Sequence, residues 1–148
     1  MAVLSWGKPK VEISELGPGG TTTTWDTLPE IVINTAQLTT EAGTRTEALE
    51  EGGGVVDVRY EKSKYSFVCQ LFVKKDDEKP IEDEDGVIIG NYAVRLTPED
   101  PETEGFIMDR TSVSCVETWT SADGKRWAYT FSGLIPETGN ILKPYLAP

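Results

Sequence analysis

The chain has 148 residues (16.3 kDa), with 25 acidic against 14 basic side chains, no histidine, and a formal net charge of −11. Such a charge repels phosphate backbones and anionic bilayers, which argues against nucleic-acid recognition through a basic patch. The missing histidine removes the commonest general base, the Ser-His-Asp and Cys-His nucleophile arrangements, and most zinc sites.

One domain of this length with 38% hydrophobic residues can bury a core without metal or disulfide support. The first 13 residues show no basic stretch followed by a long apolar run, and no apolar run approaches the ~20 residues of a membrane helix. The expectation is a soluble product made in a cytoplasm.

Residues 10–16 (KVEISEL) alternate Val11 and Ile13 with Glu12 and Ser14, which predicts a first strand. Gly17-Pro18-Gly19-Gly20 ends it, and residues 21–25 continue as a polar, β-prone segment. Residues 29–34 hold the dense run Ile31-Val32-Ile33, the pattern of a strand covered on both faces. From 37 to 51 threonine and glutamate dominate. Gly43 and the threonines favour an extended loop or projecting hairpin, while Glu47-Ala48-Leu49-Glu50-Glu51 leaves a helix over 45–51 open.

After Gly52-Gly53-Gly54, Val56, Val58 and Tyr60 alternate with Asp57, Arg59 and Glu61. Past a turn at 61–64, Tyr65, Phe67, Cys69, Leu71 and Val73 alternate with Lys64, Ser66 and Gln70. This strict period of two predicts a strand pair with one buried face. Residues 74–86 (KKDDEKPIEDEDG) fit either a solvated acidic loop or a short helix, with Pro80, Glu82, Asp83 and Glu84 in its first turn.

Residues 87–97 predict a strand with Ile88, Gly90, Tyr92, Val94 and Leu96 on one face; Pro98 and Pro101 break the next segment into a surface turn. Strands are expected at 105–108 and 111–120, the second placing Val113, Cys115, Glu117 and Trp119 on one side. Ala122-Asp123-Gly124 signals a hairpin turn with Gly124 left-handed, expected to set Trp119 across from Trp127; Trp127, Tyr129 and Phe131 then form an aromatic face. The tail, 133–148, is rich in proline and glycine and should extend over the surface. The whole reads as mainly β: a single domain built as an antiparallel β-sandwich or partly closed barrel of about eight strands, with one short flanking helix and a projecting hairpin arm.

Chemistry selects no catalytic residue, metal ligand or cofactor site. Cys69 and Cys115 occupy alternating strand positions and read as buried free thiols, with a disulfide as the alternative. The glycine runs lack phosphate-loop spacing, and the acids 82–85 are consecutive where a calcium loop needs them alternating. Glu117, if buried, calls for Arg126 or Lys125 as its partner. The aromatic set reads as core, with a sugar platform as the alternative.

In the order and character of its segments from about 30 to 131, the chain resembles the major tail tube proteins of tailed phages and the inner tubes of contractile injection systems. The features that carry this are the polar arm abutting Gly52-Gly53-Gly54, the long strands at 55–73, and the segment 79–86 where that family places a helix. The resemblance implies two packed antiparallel sheets, six copies closing a ring by sheet-to-sheet pairing, and an arm that stacks rings into a tube. Its acidic channel would pass DNA or effector protein without binding it.

The arm would be residues 39–54, with Glu41, Arg45, Glu47, Glu50 and Glu51 as contact or lumen charges. Val56, Val58 and Tyr60 would belong to the ring-forming strands. Implied partners are further copies and sheath, baseplate or chaperone proteins, with no enzymatic role, no membrane, and a place in the virion tail after synthesis in a bacterial host cytoplasm. The competing reading is a carbohydrate- or protein-binding β-sandwich module using Trp119 or Trp127. A small hydrolase built on paired carboxylates including Glu117 is the residual one.

Overall fold

A computed structural model describes residues 3–17, 22 and 24–148. Among these lie ten strands and no helix: β1 (Lys10–Glu15), β2 (Asp26–Thr27), β3 (Gln37–Glu41), β4 (Arg45–Leu49), β5 (Val55–Tyr60), β6 (Lys64–Phe72), β7 (Tyr92–Thr97), β8 (Gly105–Thr120), β9 (Gly124–Gly133) and β10 (Lys143–Tyr145). All but β4 and β5 belong to one antiparallel sheet of order β2-β1-β7-β8-β9-β6-β3, with β10 also paired to β8.

The alternation in β6 does what its period demands. Phe67, Cys69 and Leu71 are buried with Tyr65 and Val73 half-covered, and the neighbouring β9 turns Trp127, Tyr129 and Phe131 the same way. Val113, Cys115 and Met108 of β8, Val94 of β7, and Val11 and Ile13 of β1 complete the core. Phe67 packs edge-on against Phe106 at 5.3 Å although β9 lies between their strands, so the sheet is curled around this core. One run of chain links β1 to β6 across the opening: Leu28 N donates to Val11 O (2.8 Å), and Val32 N donates to Gln70 O (2.9 Å). Strand pairing does not close the sheet into a complete barrel.

Cys69 and Cys115 each lie opposite Tyr129, one on either side of β9. Two strand spacings put them about 10 Å apart, beyond the reach of a disulfide; both are buried free thiols.

Several expected features differ. Residues 79–86 form no helix: Ile81 dips into the core, where its carbonyl accepts the Tyr129 hydroxyl (2.7 Å), and Asp85 and Gly86 take positive φ of 51° and 86°. The segment 29–34 is no doubly covered strand, since Ile31 only bridges Leu71 and Ile33 is 81% exposed ahead of left-handed Asn34. The strand expected from 87 begins at Tyr92 because Gly90 turns the chain at φ 93°.

The strands expected at 105–108 and 111–120 are one, β8, running through a buried Thr111 whose hydroxyl donates to Tyr92 O (2.7 Å). Gly124 is left-handed (φ 76°) as expected, but pairing Thr120 with Gly124 puts Glu117, not Trp119, across from Trp127. The turn expected at 17–20 falls largely outside the described residues.

Burial of Glu12 has a specific cause. Arg95 grips its carboxylate through Nε (3.2 Å) and Nη2 (3.0 Å), and the guanidinium lies over the rings of Trp25 (4.1 Å) and Tyr145 (5.1 Å). The tail therefore seals a charged pair on the outer side of β1 and β7.

Tyr129→Phe leaves the Ile81 carbonyl without its donor and is expected to cost about 1–2 kcal/mol in urea unfolding. Asp83 accepts from Lys79 Nζ (2.6 Å) and Gly86 N (2.7 Å), and the Lys79 bond chiefly holds its carboxyl below the usual range. Its stabilisation is therefore complete above the ordinary Asp pKa and lost as pH falls through the lowered one. Asp83→Asn should lower stability at pH 7 and close the gap to wild type in strong acid, read from unfolding midpoints across that range.

Candidate functional site

Among the described residues, the five of β4 and six of β5 pair only with each other, as a separate two-stranded sheet. The triple glycine makes their turn: Gly52 and Gly53 hold φ of 108° and 95°, Glu50 N donates to Gly54 O (2.8 Å), and Gly53 N donates to Glu50 O (3.0 Å). Side chains with Cβ resist such angles.

Residues opposite one another in an antiparallel pair share a face. Arg45 faces Tyr60, Glu47 faces Val58, and past a bulge Leu49 meets Val55, with Val56 on the same alternation as Val58 and Tyr60. The other face carries Thr46, Ala48, Asp57 and Arg59. Arg45 lies 5.9 Å over the Tyr60 ring, donates from Nε to its hydroxyl (3.3 Å), and pairs with Glu47. The first face is thus apolar with one internally neutralised charge pair.

The period expected for Val56, Val58 and Tyr60 is present, but the expected burial is not: Val56 and Tyr60 are each 71% exposed and Leu49 is 60% exposed. No described part of the chain is strand-paired to this hairpin, and an isolated pair of strands is marginal in water.

The hairpin prolongs the main sheet. Glu41 lies opposite Lys64, and four residues on Arg45 lies opposite Tyr60, so the register is unbroken across 42–44 and 61–63. Glu61 N donating to Thr44 O (2.9 Å) spans the gap. At Gly43 the strands press together: a Cβ there would stand 1.8 Å from Glu61 O.

The arm is therefore 45–60 rather than 39–54, and β5 belongs to it rather than to the strands of the main sheet. Of the expected residues, Arg45, Glu47, Val56, Val58 and Tyr60 gather on one face, Glu50 and Glu51 sit at the tip, and Glu41 lies at the base in β3.

Two surfaces leave no mark in the sequence pattern. Outward positions of β8 from Ser112 to Thr120, β9 from Gly124 to Ser132 and β6 from Ser66 to Phe72 carry a single charge, Arg126, which is tied to Gln70 (3.3 Å) and Asp123 (3.7 Å). Among the described residues this four-stranded part also has two bare edges: β3 pairs only with β6, and beyond Ser114 β8 has no strand on its far side. Such a face needs strand order and register together, which periodicity alone does not supply.

The other candidates are engaged or inert. Trp127 is buried, and its Nε1 donates to Glu117 (2.9 Å), which Lys125 also approaches (3.2 Å); these bonds hold the Glu117 carboxyl below its usual range. Of the two candidate tryptophans only Trp119, 70% exposed, could present an indole to a ligand. Burial pushes the Cys69 thiol up to about 12, away from nucleophilic use. Among the described residues no group of three or more Cys, Asp or Glu is placed to hold a metal ion, and no helix is long and apolar enough to cross a membrane. No protein-family model matches the chain, and no curated protein matches it.

The two kinds of glycine should separate in thermal melts. Gly43→Val, driven into backbone, is expected to cost about 2–3 kcal/mol. Gly52→Ala, which meets nothing within 4 Å, should cost about 1–2 kcal/mol from its φ alone.

Proposed function

We propose that the chain is a non-enzymatic structural subunit that assembles with copies of itself, in the manner of the tail tube proteins it resembles. The arm carries this reading: Leu49, Val56 and Tyr60 are exposed on a hairpin that no other described strand pairs with. Apolar surface gains about 25 cal/mol per Å² on leaving water, so a second molecule that covers this face is stabilised by it.

The bare edges support the same reading. β3 and the far half of β8 flank one four-stranded unit, and unlike edges on one subunit can pair head-to-tail into a closed ring. In this reading copies close a ring of six, the arms stack rings into a tube in the virion tail, and DNA passes without specific binding. Sheath, baseplate or chaperone proteins would be its partners. The loop at 74–86, holding Ile81 under Tyr129, closes the core where the family uses a helix.

Each copy adds a charge of −11, so repulsion opposes assembly until salt screens it, over about 8 Å at physiological strength. Light scattering and negative-stain microscopy of the full chain should show rings or tubes, increasing with salt and protein concentration. Replacing 45–60 by a two-residue turn should leave folded monomers. A strict monomer at every salt and concentration overturns the reading. The exposed Trp119 favours a second one, a glycan-binding module, which predicts indole fluorescence shifts on a glycan panel that Trp119→Ala abolishes.

A further inference from the structure

At the Phe72 end of β6 lies an apolar groove of about 1180 Å³, walled by Trp6, Ile31, Ile33 and Phe72, with Lys8 and Lys10 among its lining. Trp6 is 68% exposed, Ile33 81% and Phe72 39%. Such a concentration of exposed apolar side chains marks a contact surface.

We infer that this groove receives the arm of a second copy, an inference that rests on the self-assembly reading above. The arm continues the β3–β6 register outward from Lys64, whereas Phe72 stands at the other end of the nine-residue β6. At 3.3 Å per residue these ends are about 26 Å apart, and the arm leads away from the groove. No copy can fill its own groove.

The chemistries match. The arm offers Leu49, Val56, Val58 and Tyr60, with Glu50 and Glu51 at its tip and Glu47 already neutralised by Arg45. The groove offers apolar walls beside Lys8 and beside Lys10, which also lies 4.0 Å from Glu12, while the one acid of its described lining, Glu30, is paired to Lys74 (3.2 Å). In a chain of net charge −11, most approaches between copies set acid against acid; this one sets acid against base. A projection and a recess at opposite ends of one strand make a heterologous contact that propagates along the β6 direction. The arm–groove contact is therefore the stacking contact between successive layers.

The test uses the full chain, whose native thiols are both buried. Val58→Cys and Ile33→Cys proteins, mixed under assembly salt and mildly oxidised, should give a disulfide dimer that needs both partners. The double variant should give a ladder of multimers. A Ser114→Cys variant, on the uncharged sheet face, serves as the control partner. Ile33→Glu, on an exposed side chain, should raise the concentration for half-assembly more than tenfold without moving the melting temperature. Assembly by light scattering with no Val58–Ile33 dimer, or with a preferred Val58–Ser114 dimer, overturns the groove and leaves self-assembly standing. No assembly and no cross-link under any condition overturns both.

Discussion

The structure depends on the packing of the β9 aromatic row between β6 and β8. Phe131 lies 6.1 Å from Phe67 and 6.5 Å from Tyr129, and the two thiols flank Tyr129 as small, unreactive fillers. Because a sheet buries only one face against itself when it curls, these large rings set the radius of the curl. The Tyr129 hydroxyl adds a second function by holding the Ile81 carbonyl, which draws a highly acidic loop over the open end of the core. Loop and core are thus one cooperative unit despite the loop's composition.

The contrast between β5 and β6 shows how much of this was legible. Both alternate strictly, and the period of each predicts one buried face. In β6 the apolar set meets β9 and is buried; in β5 the equivalent set meets only β4 and stays in water. Period reports a face that seeks cover, and in β5 no described strand but β4 pairs with it. The helix expected at 79–86 failed for a related reason. Pro80 and the acids favour a helix start locally, but the gain from burying Ile81 and satisfying its carbonyl decides the path.

Other features had no local signal. Gly43 sits in a polar stretch with no turn motif, and its requirement comes wholly from the Glu61 carbonyl that faces it across the hairpin. The pairing of Glu117 with Trp127 depends on counting outward from Thr120 and Gly124; a slip of two residues places the wrong tryptophan in the core. The uncharged outer face was invisible because its residues come from three strands, one of them far from the others in the chain, and each strand alone is ordinary.

These pieces constrain one another through β6. Its inner side carries the core residues Phe67, Cys69 and Leu71, its outer side belongs to the uncharged face, its first residue anchors the arm, and its last walls the groove. A close-packed core resists small shifts of its strands. The distance from arm to groove is therefore fixed by the same rings that stabilise the monomer. In the proposed assembly, the repeat along the stacking direction follows from the length of this one strand and its hairpin, with no separate spacer element. A cavity in the β9 row would then disturb the regularity of stacking even where the arm and groove are themselves unchanged.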